Sequence, residues 1–429
     1  MTEDILLKNF TTFKCGGPAK FLDEPSTEEE VISDLKYARD NGIDVFVLGG
    51  GANCLISDKG FDGLVIRTSN LSDDIEIAED SNGAVITAGA GTKLISFAVK
   101  AAGAGYTGTE FATGIPGTLG GAVFMNAGAY GGEMKDIVTK VRYIDSEGQV
   151  HEVCGDDLRL GYRTSIFAEM TREGKVFVIT KITARVNKGS SDEINAKINE
   201  YKTKRTSSQP LDVPSAGSTF KRPEGYFAGK LIDDAGLRGY SIGGSSAQVS
   251  PKHCGFIVNN GGNASAEEVY ELICDVSDKV FTKFGVRLEP EVRIVGNFEE
   301  KKRIRVMSFG FKYGEATGAD IIFDVRSLKN PFWIPELRPL SGLDEPIIRY
   351  LDGFEETRIF TAGLVKQTVR KLEETSRLGK NCIVAAVGCT GGHHRSVFCA
   401  ERLASDLRAA GYDVMVCHRD IQKDSSDDK

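Results

Sequence analysis

The sequence predicts an α+β front of about 300 residues and, behind it, a separately folded α/β module. Three observations carry this. The front mixes Val- and Ile-rich strand-like runs with a few helices and with glycine-dense loops. The rear alternates apolar strands with helical patterns from about residue 304 onward. Between them, GNFEEKKR (296–303) is charged and lacks apolar periodicity, as a linker does.

Taken in order, residues 28–41 show helical spacing through Val31, Ile32, Leu35 and Ala38, with acidic residues in the first turn. The run 45–48 reads as a short strand that ends in three glycines, and further strands are expected around 64–67 and 84–88. A helix is predicted over 92–103, with Gly103 as its cap. Strands follow at 137–154 and 175–187, a polar helix at 191–208, a Pro- and Ser-rich loop at 209–223, a helix at 264–284 and a strand at 291–295. In the rear module, IRVMSFGF opens a strand, 361–375 is helical, 382–387 is a buried strand, 396–411 a helix and 413–417 a strand.

Composition narrows the classes. The 429 residues allow about three domains. The net charge of −8 is unevenly spread: residues 301–429 hold 21 Lys+Arg against 18 Asp+Glu, or +3, which leaves −11 for residues 1–300. The rear therefore tolerates an anionic partner better than the front. Nine scattered cysteines with no Cys-x-x-Cys pair predict reduced thiols in a cytoplasm. The acidic start MTEDILLKNF does not read as a signal peptide, and no run approaches 18 apolar residues, so no membrane association is expected.

The glycine clusters carry the chemistry. Gly49, Gly50 and Gly51, with Ala52 and Asn53, follow a strand directly; without Cβ atoms, backbone N–H groups can approach a diphosphate. Asn53 tolerates left-handed angles and can donate to a phosphate oxygen. A second cluster, Gly114, Ile115, Pro116, Gly117, Thr118, Gly120 and Gly121, precedes a helix of small residues whose N–H groups could meet an anion. Neither follows the dinucleotide fingerprint of a Rossmann fold. Each cluster alone also fits a tight packing turn; two in one domain, both read as following strands, favour a binding role.

These residues resemble a known family. VFVLGGGANCLISDKGFDGLVI (45–66), GIPGTLGGAVFMNAGAY (114–130) and TTFKCGGPA (11–19) are similar to the FAD-binding halves of the UDP-N-acetylenolpyruvoylglucosamine reductases, the MurB family. The similarity continues through GYRTSIF (161–167), PSAGSTFKRP (214–223), AGKLIDDAGLRG (228–239), HCGFIVN (253–259) and LEPEVRIVG (288–296), covering about 5–297. The run at Tyr162 resembles the shorter-loop type. The resemblance implies an α+β, two-lobed FAD-binding domain of the PCMH/VAO type over 1–190, in lobes 1–68 and 69–190, then an α+β substrate domain over 191–297. A linker is expected at 298–302.

It also implies a reaction. NADPH reduces FAD, and the flavin passes hydride to the enolpyruvyl ether of a UDP-amino sugar, UDP-N-acetylglucosamine enolpyruvate, in peptidoglycan precursor synthesis. Another flavin oxidoreductase of the same fold is the alternative. Such chemistry needs a polarised carboxylate, a dry preorganised site and a proton donor. Arg163 matches the carboxylate-polarising arginine, whose planar fork suits that task. Glu291 matches the catalytic glutamate, expected to share a proton with the substrate carboxylate and so to need a raised pKa. Ser218 matches the proton donor, and Tyr162, Arg205, Lys221 and Arg222 are expected at the substrate's diphosphate and carboxylate.

In the rear, GCTGGHHRSV (388–397) follows a strand and opens a helix. Its Cys-x5-Arg spacing is that of a protein tyrosine phosphatase loop, with Cys389 as a thiolate and Arg395 as a fork over phosphate. An anion cradle at Cys389, Thr390, Gly391, Gly392, His394, Arg395 and Ser396 is the physical inference, a structural glycine turn the alternative. His418 and Arg419, and Asp324 and Arg326, are expected to end strands at the same sheet edge. FGFKYG (309–314), ADIIFDVRSLKNPF (319–332), LSGLDEPIIRYL (340–351) and the segment from 388 to CHRD at 420 resemble the C-terminal domain of the RapZ family of RNase adapters. That implies an α/β domain over 303–420 that binds RNA or an amino-sugar phosphate and is no phosphatase; a disordered tail is expected over 421–429. The family's nucleotide domain is absent, and the acidic end KDSSDDK weakens the case for RNA.

Overall fold

Thr27 starts the first helix. Its hydroxyl accepts from Glu30 N at 3.2 Å in a computed structural model of the chain, which describes residues 1–71, 75–299, 302–377 and 381–423. The chain divides into two compact units. One holds Met1–Phe220, Arg238–Leu272 and Pro290–Phe298; the other holds Lys221–Leu237, Ile273–Glu289 and Glu299–Lys429.

The first lobe of the first unit comprises β1 (Thr2–Leu6), β2 (Pro18–Asp23), α1 (Glu28–Asp40), β3 (Val45–Leu48), β4 (Cys54–Ile56) and β5 (Phe61–Arg67). Its sheet runs β1-β2-β5-β3, with β2 and β3 parallel to β5 and β1 antiparallel on the edge. Val31, Leu35 and Ala38 recur at helical spacing and pack on Leu64 and Ile66. The edge strand β1 has no legible pattern, because almost all of its residues are exposed.

The second lobe comprises β6 (Glu76–Asp80), β7 (Gly83–Gly89), α2 (Leu94–Gly103), β8 (Tyr106–Thr107), α3 (Leu119–Phe124), β9 (Gly128–Ala129), β10 (Gly132–Glu133), β11 (Val138–Asp145), β12 (Val150–Cys154), α4 (Ile166–Arg172) and β13 (Phe177–Lys188). The antiparallel sheet is ordered β12-β11-β13-β7-β6, with β8 also on β13. Ile182, Ala184 and Val186 alternate into a core that includes Ile86, Phe97, Val141 and Phe167. One expectation needs correcting. Gly103 lies inside α2, which is capped by Ala104, and the left-handed turn falls on Gly105 at φ +82°.

The next segment contributes α5 (Ser191–Ser208), α6 (Ala228–Asp234), β14 (Ala247–Val249), β15 (Ile257–Asn259), α7 (Ala266–Phe284) and β16 (Arg293–Val295). α5 is as polar as predicted, with Ile194 its buried residue. β16 pairs in parallel with β4, Arg293 opposite Cys54, and so returns LEPEV to the first lobe.

In the second unit, β17 (Arg303–Gly310), β18 (Ile321–Asp324), α8 (Glu345–Asp352), α9 (Glu355–Ser376), β19 (Cys382–Cys389), α10 (Arg395–Ala409) and β20 (Asp413–His418) build a four-stranded parallel sheet. Its order is β18-β19-β17-β20. Ile304, Val306, Ile383, Ala385 and Val387 face the core with Leu364, Leu403 and Leu407. Met307, Phe309, Val384, Ala386 and Cys417 face the other side, with Phe281. The helix expected at 361–375 begins earlier, at Glu355. Residues 300–301 of the expected linker and 424–429 of the expected disordered tail lie outside the described residues, while Ile421–Lys423 form a turn.

Candidate active site

The two glycine clusters meet. A Cβ on Gly50 would lie 2.7 Å from Gly117 Cα, and one on Gly49 would lie 2.5 Å from Thr118 Oγ1. Gly51, at φ +62°, leaves no room at all: its Cβ would fall 1.9 Å from Phe10 O. Only glycine permits this approach of β3's end to the Pro116–Thr118 loop. Thr118 then caps α3, accepting from Gly121 N. The second cluster follows a 3-10 turn, Glu110–Gly114, where the sequence reading has it following a strand.

A cavity of about 340 Å³ opens where the clusters meet, within the range of cofactor sites. Gly49, Gly50, Gly51, Ala52, Asn53, Ile115, Pro116, Gly117, Thr118, Gly120 and Gly121 line it. Gly114 does not; it backs Arg205, whose Cδ would sit 2.9 Å from a Cβ there. Asn53 lies outside the left-handed region, and its amide donates to Glu291 O at 3.1 Å.

Arg163, Ser218 and Glu291 line the same cavity. Arg163 Nε donates to Glu291 Oε1 at 2.6 Å, with side chains 21% and 11% exposed. Arg163 sits at φ +52° in a tight turn closed by Gly161 and Thr164, a strained conformation for a residue with a Cβ and one that clusters at functional sites. Behind the turn, Ser165 caps α4 and donates to Phe124 O at 2.7 Å. Glu291 N donates to Thr219 O at 2.8 Å. Thr219 N in turn donates to Gly255 O, and Thr219 Oγ1 accepts from Ile257 N. Three sequence motifs far apart along the chain thus place Ser218, next to Gly217 at φ +76°, in one wall.

The remaining substrate candidates separate. Arg205 lines the cavity, and burial pulls its pKa down. Its Nε, a donor, and the neighbouring Gln209 Oε1, an acceptor, are buried without a hydrogen-bond partner among the described residues; an anionic oxygen would meet the first demand and a hydroxyl or N–H group the second. Tyr162 is not in the lining; it lies under the Arg163 guanidinium, 56% exposed. Lys221 and Arg222 belong to the second unit, Lys221 paired with Glu289 at 3.5 Å and Arg222 over the Phe227 ring. Arg293 was missed. It lines the cavity, and the spacing of two from Glu291 in LEPEVR was the available signal, since alternate residues of an extended chain share a face.

In the second unit, the parallel register carries the ends of β17, β18, β19 and β20 to one edge: Gly310 opposite Cys389, Asp324 opposite Gly388 and Ser308 opposite His418. The predicted convergence is therefore present. The predicted fork is not. Arg395 is buried, and its Nη1 donates to Arg326 O at 2.7 Å and Leu328 O at 3.0 Å, so it anchors a turn. His394 contacts Arg338 O, and burial lowers its pKa. His418 bridges Ser308 and Glu401, Arg419 is held by Gly310 O, Gly314 O and Asp420, and Arg326 pairs with Asp324. Cys389 Sγ accepts from Gly392 N at 3.2 Å and lies 3.2 Å from Ser396 Oγ. Thr390 and Gly391 complete the loop.

Comparison with known proteins decides the family. A UDP-N-acetylenolpyruvoylglucosamine reductase of Agathobacter rectalis is 47% identical over 306 residues, 70% of this chain and 95% of the relative. One from Caldanaerobacter subterraneus subsp. tengcongensis is 47% identical over 290 residues, 68% of this chain and 92% of the relative. The chain belongs to the UDP-N-acetylenolpyruvoylglucosamine reductase family. The solved structure of the Thermus caldophilus reductase, MurB, superposes with a TM-score of 0.57 at 34% identity, over 69% of this chain and all but 1% of that one, whose coverage is 99%. Family models place the FAD binding domain at 19–153, the UDP-N-acetylenolpyruvoylglucosamine reductase C-terminal domain at 209–295 and the RapZ C-terminal domain at 302–422. The reductase cavity lies between the glycine clusters, and the rear sheet belongs to the appended RapZ-type domain. Among the described residues no helix is long and apolar enough to cross a membrane.

Proposed function

We propose that the chain reduces UDP-N-acetylglucosamine enolpyruvate to UDP-N-acetylmuramate with NADPH as reductant, a step of peptidoglycan precursor synthesis in the cytoplasm. The observation that carries it is the meeting of Arg163, Glu291 and Ser218 in the wall of the glycine-lined cavity. The residues present fit FAD: the Gly50–Gly117 approach admits a diphosphate close to backbone, and the buried Arg205 Nε and Gln209 Oε1 have no other partner among the described residues. FAD, when bound, supplies the hydride. Gly49–Asn53 and Ile115–Thr118 would hold it.

The chain's own residues do the rest. Arg163 orients and polarises the enolpyruvyl carboxylate through its guanidinium, whose charge is fixed across the working pH range. Glu291, hydrogen-bonded to that guanidinium, stands beside the same carboxylate and holds a proton there as charge develops. Ser218 delivers a proton to the carbon next to the one that receives hydride. The nine cysteines are unbridged and six of them are buried, which fits a reducing compartment. Flavin absorbance near 450 nm (about, for an oxidised flavin) tests the reading. It should bleach with NADPH and return with the enolpyruvyl substrate. Bleaching without return would assign the chain to another flavoprotein activity.

For the rear domain we propose a small amino-sugar phosphate over RNA. The basic side chains at the sheet edge are already paired within it, with Asp324 and Asp420 as neighbours, which disfavours a polyanion. Calorimetry of the full chain with an amino-hexose phosphate and with a short RNA tests this; tight RNA binding alone would reverse the assignment.

A further inference from the structure

Arg293 lines the cavity without a part in the proton and hydride steps. It stands two residues after Glu291 on an extended segment, and Val292 between them is buried. The strand β16 fixes its place. Arg293 N donates to Asn53 O at 3.0 Å, and Arg293 pairs with Cys54 of β4, just after the first glycine cluster. These strands, Glu291 and the cavity lining all lie within the first unit.

The Arg293 guanidinium lies over the Phe124 ring at 4.7 Å and over the Phe46 ring at 5.3 Å. Phe46 belongs to β3, which leads into the first glycine cluster, and Phe124 ends α3, which begins within the second. Aromatic faces hold a cation without using up its N–H groups. Among the described residues no carboxylate or carbonyl takes those N–H groups either. The other cations of the lining are committed differently. Arg163 is paired with Glu291 at 2.6 Å, a unit with no net charge, and Lys175 with Glu173 at 2.7 Å. Arg205, on α5, presents the buried Nε that suits an anionic oxygen. Glu291 marks the end of the cavity where hydride is delivered in the proposed reaction, and two extended residues span about 6.6 Å. One uncompensated positive charge therefore belongs to the reacting end.

We propose that Arg293 is the cation that compensates the negative charge the flavin ring gains on reduction, and so sets the reduction potential of the bound cofactor. The inference rests on the proposed reductase reading of this cavity. Hydride brings two electrons and one proton, so the ring gains one negative charge. A fixed guanidinium in a half-buried wall stabilises that charge more than it would in bulk water. A diphosphate carries the same charge in both redox states, so an arginine serving it would favour neither.

The test uses the full-length chain with FAD bound. Arg293→Met keeps packing on the two rings and removes the charge. The midpoint potential of its flavin, read by dye equilibration, should fall by at least about 30 mV, which is a tenfold loss of preference for the reduced form in a two-electron couple. Arg293→Lys, with the charge kept, should recover most of the shift. Affinity for oxidised FAD should stay near that of the parent in both variants. Should Arg293→Met release its flavin on purification, titration of the stripped protein with oxidised and with reduced FAD gives the same ratio from two dissociation constants. An unchanged potential would overturn the proposal. So would an equal loss of affinity for the two redox states, which would make Arg293 a ligand of the diphosphate. Neither measurement involves the enolpyruvyl substrate. If flavin bleached by NADPH fails to return with that substrate in the parent chain, the reductase reading fails, and the potential of Arg293→Met still decides the role of Arg293.

Discussion

Arg163 and Glu291 lie 128 positions apart and share a hydrogen bond of 2.6 Å, Nε to Oε1, in the wall of one cavity. The pair couples a strained turn, in which Arg163 holds φ +52°, to the extended segment that enters β16. Arg163→Lys keeps the charge but loses the fork. It should cut kcat by about 10²- to 10³-fold with little change in flavin content. Steady-state kinetics with parallel flavin spectra measure both.

Ser218→Ala should leave flavin reduction by NADPH intact and slow the oxidative half-reaction by about 10²- to 10⁴-fold, the range of one proton-transfer group. Stopped-flow of the separate half-reactions reads this. Equal losses in both would make Ser218 a residue that shapes the loop.

Gly50→Ala should abolish flavin retention, since its Cβ would fall 2.7 Å from Gly117 Cα, and the atoms it meets are backbone that cannot swing away. Gly117→Ala meets only Ala52 Cβ at 3.6 Å, but at φ +115° it is strained. It should retain flavin with weakened affinity. The ratio of flavin to protein after gel filtration distinguishes the two.

Acidification should loosen the first unit through Glu28. The Arg142 side chain, with Thr180, holds the Glu28 carboxyl below its ordinary pKa. A depressed folded pKa means that the unfolded state takes up the proton first. The stabilisation is therefore full above the ordinary carboxylate pKa and is lost as pH falls through the folded value. Arg142 is 37% exposed, so solvent screens the pair and the effect is modest. Thermal melts should show a smaller drop in Tm between neutral and acid pH for Glu28→Gln than for the parent chain.

Arg395→Ala should destabilise the appended domain by about 1–3 kcal/mol, because the buried Leu328 carbonyl and the half-buried Arg326 carbonyl lose their donor. Cys389→Ser should be far milder. Neither the parent chain nor either variant should hydrolyse an aryl phosphate. Hydrolysis that depends on Cys389 would restore the phosphatase reading of the loop.

The sequence by itself determined the family, the two glycine clusters and the alternation of the rear module, and it named Arg163, Glu291 and Ser218 as the candidates that the structure brings into one cavity wall. Glycine where a backbone must pass, and apolar residues at period 2 or 3.6, are written locally, so α1 and β19 are visible within a few residues of their ends. Tertiary structure alone decided the rest. β1 is exposed and exists because β2 pairs with it, and Arg293 enters the cavity because β16 docks on β4. The Cys-x5-Arg run reads equally well as a phosphate fork or a turn anchor until carbonyls of Arg326 and Leu328 take its guanidinium. The same holds for GNFEEKKR, which reads as a spacer. Whether the flanking parts are independent depends on what covers the far face of the rear sheet, and that face packs against Phe281 and Asp278, residues whose own helix gives no sign of it. Long-range burial and pairing are set by which surfaces meet, and local pattern does not encode the partner.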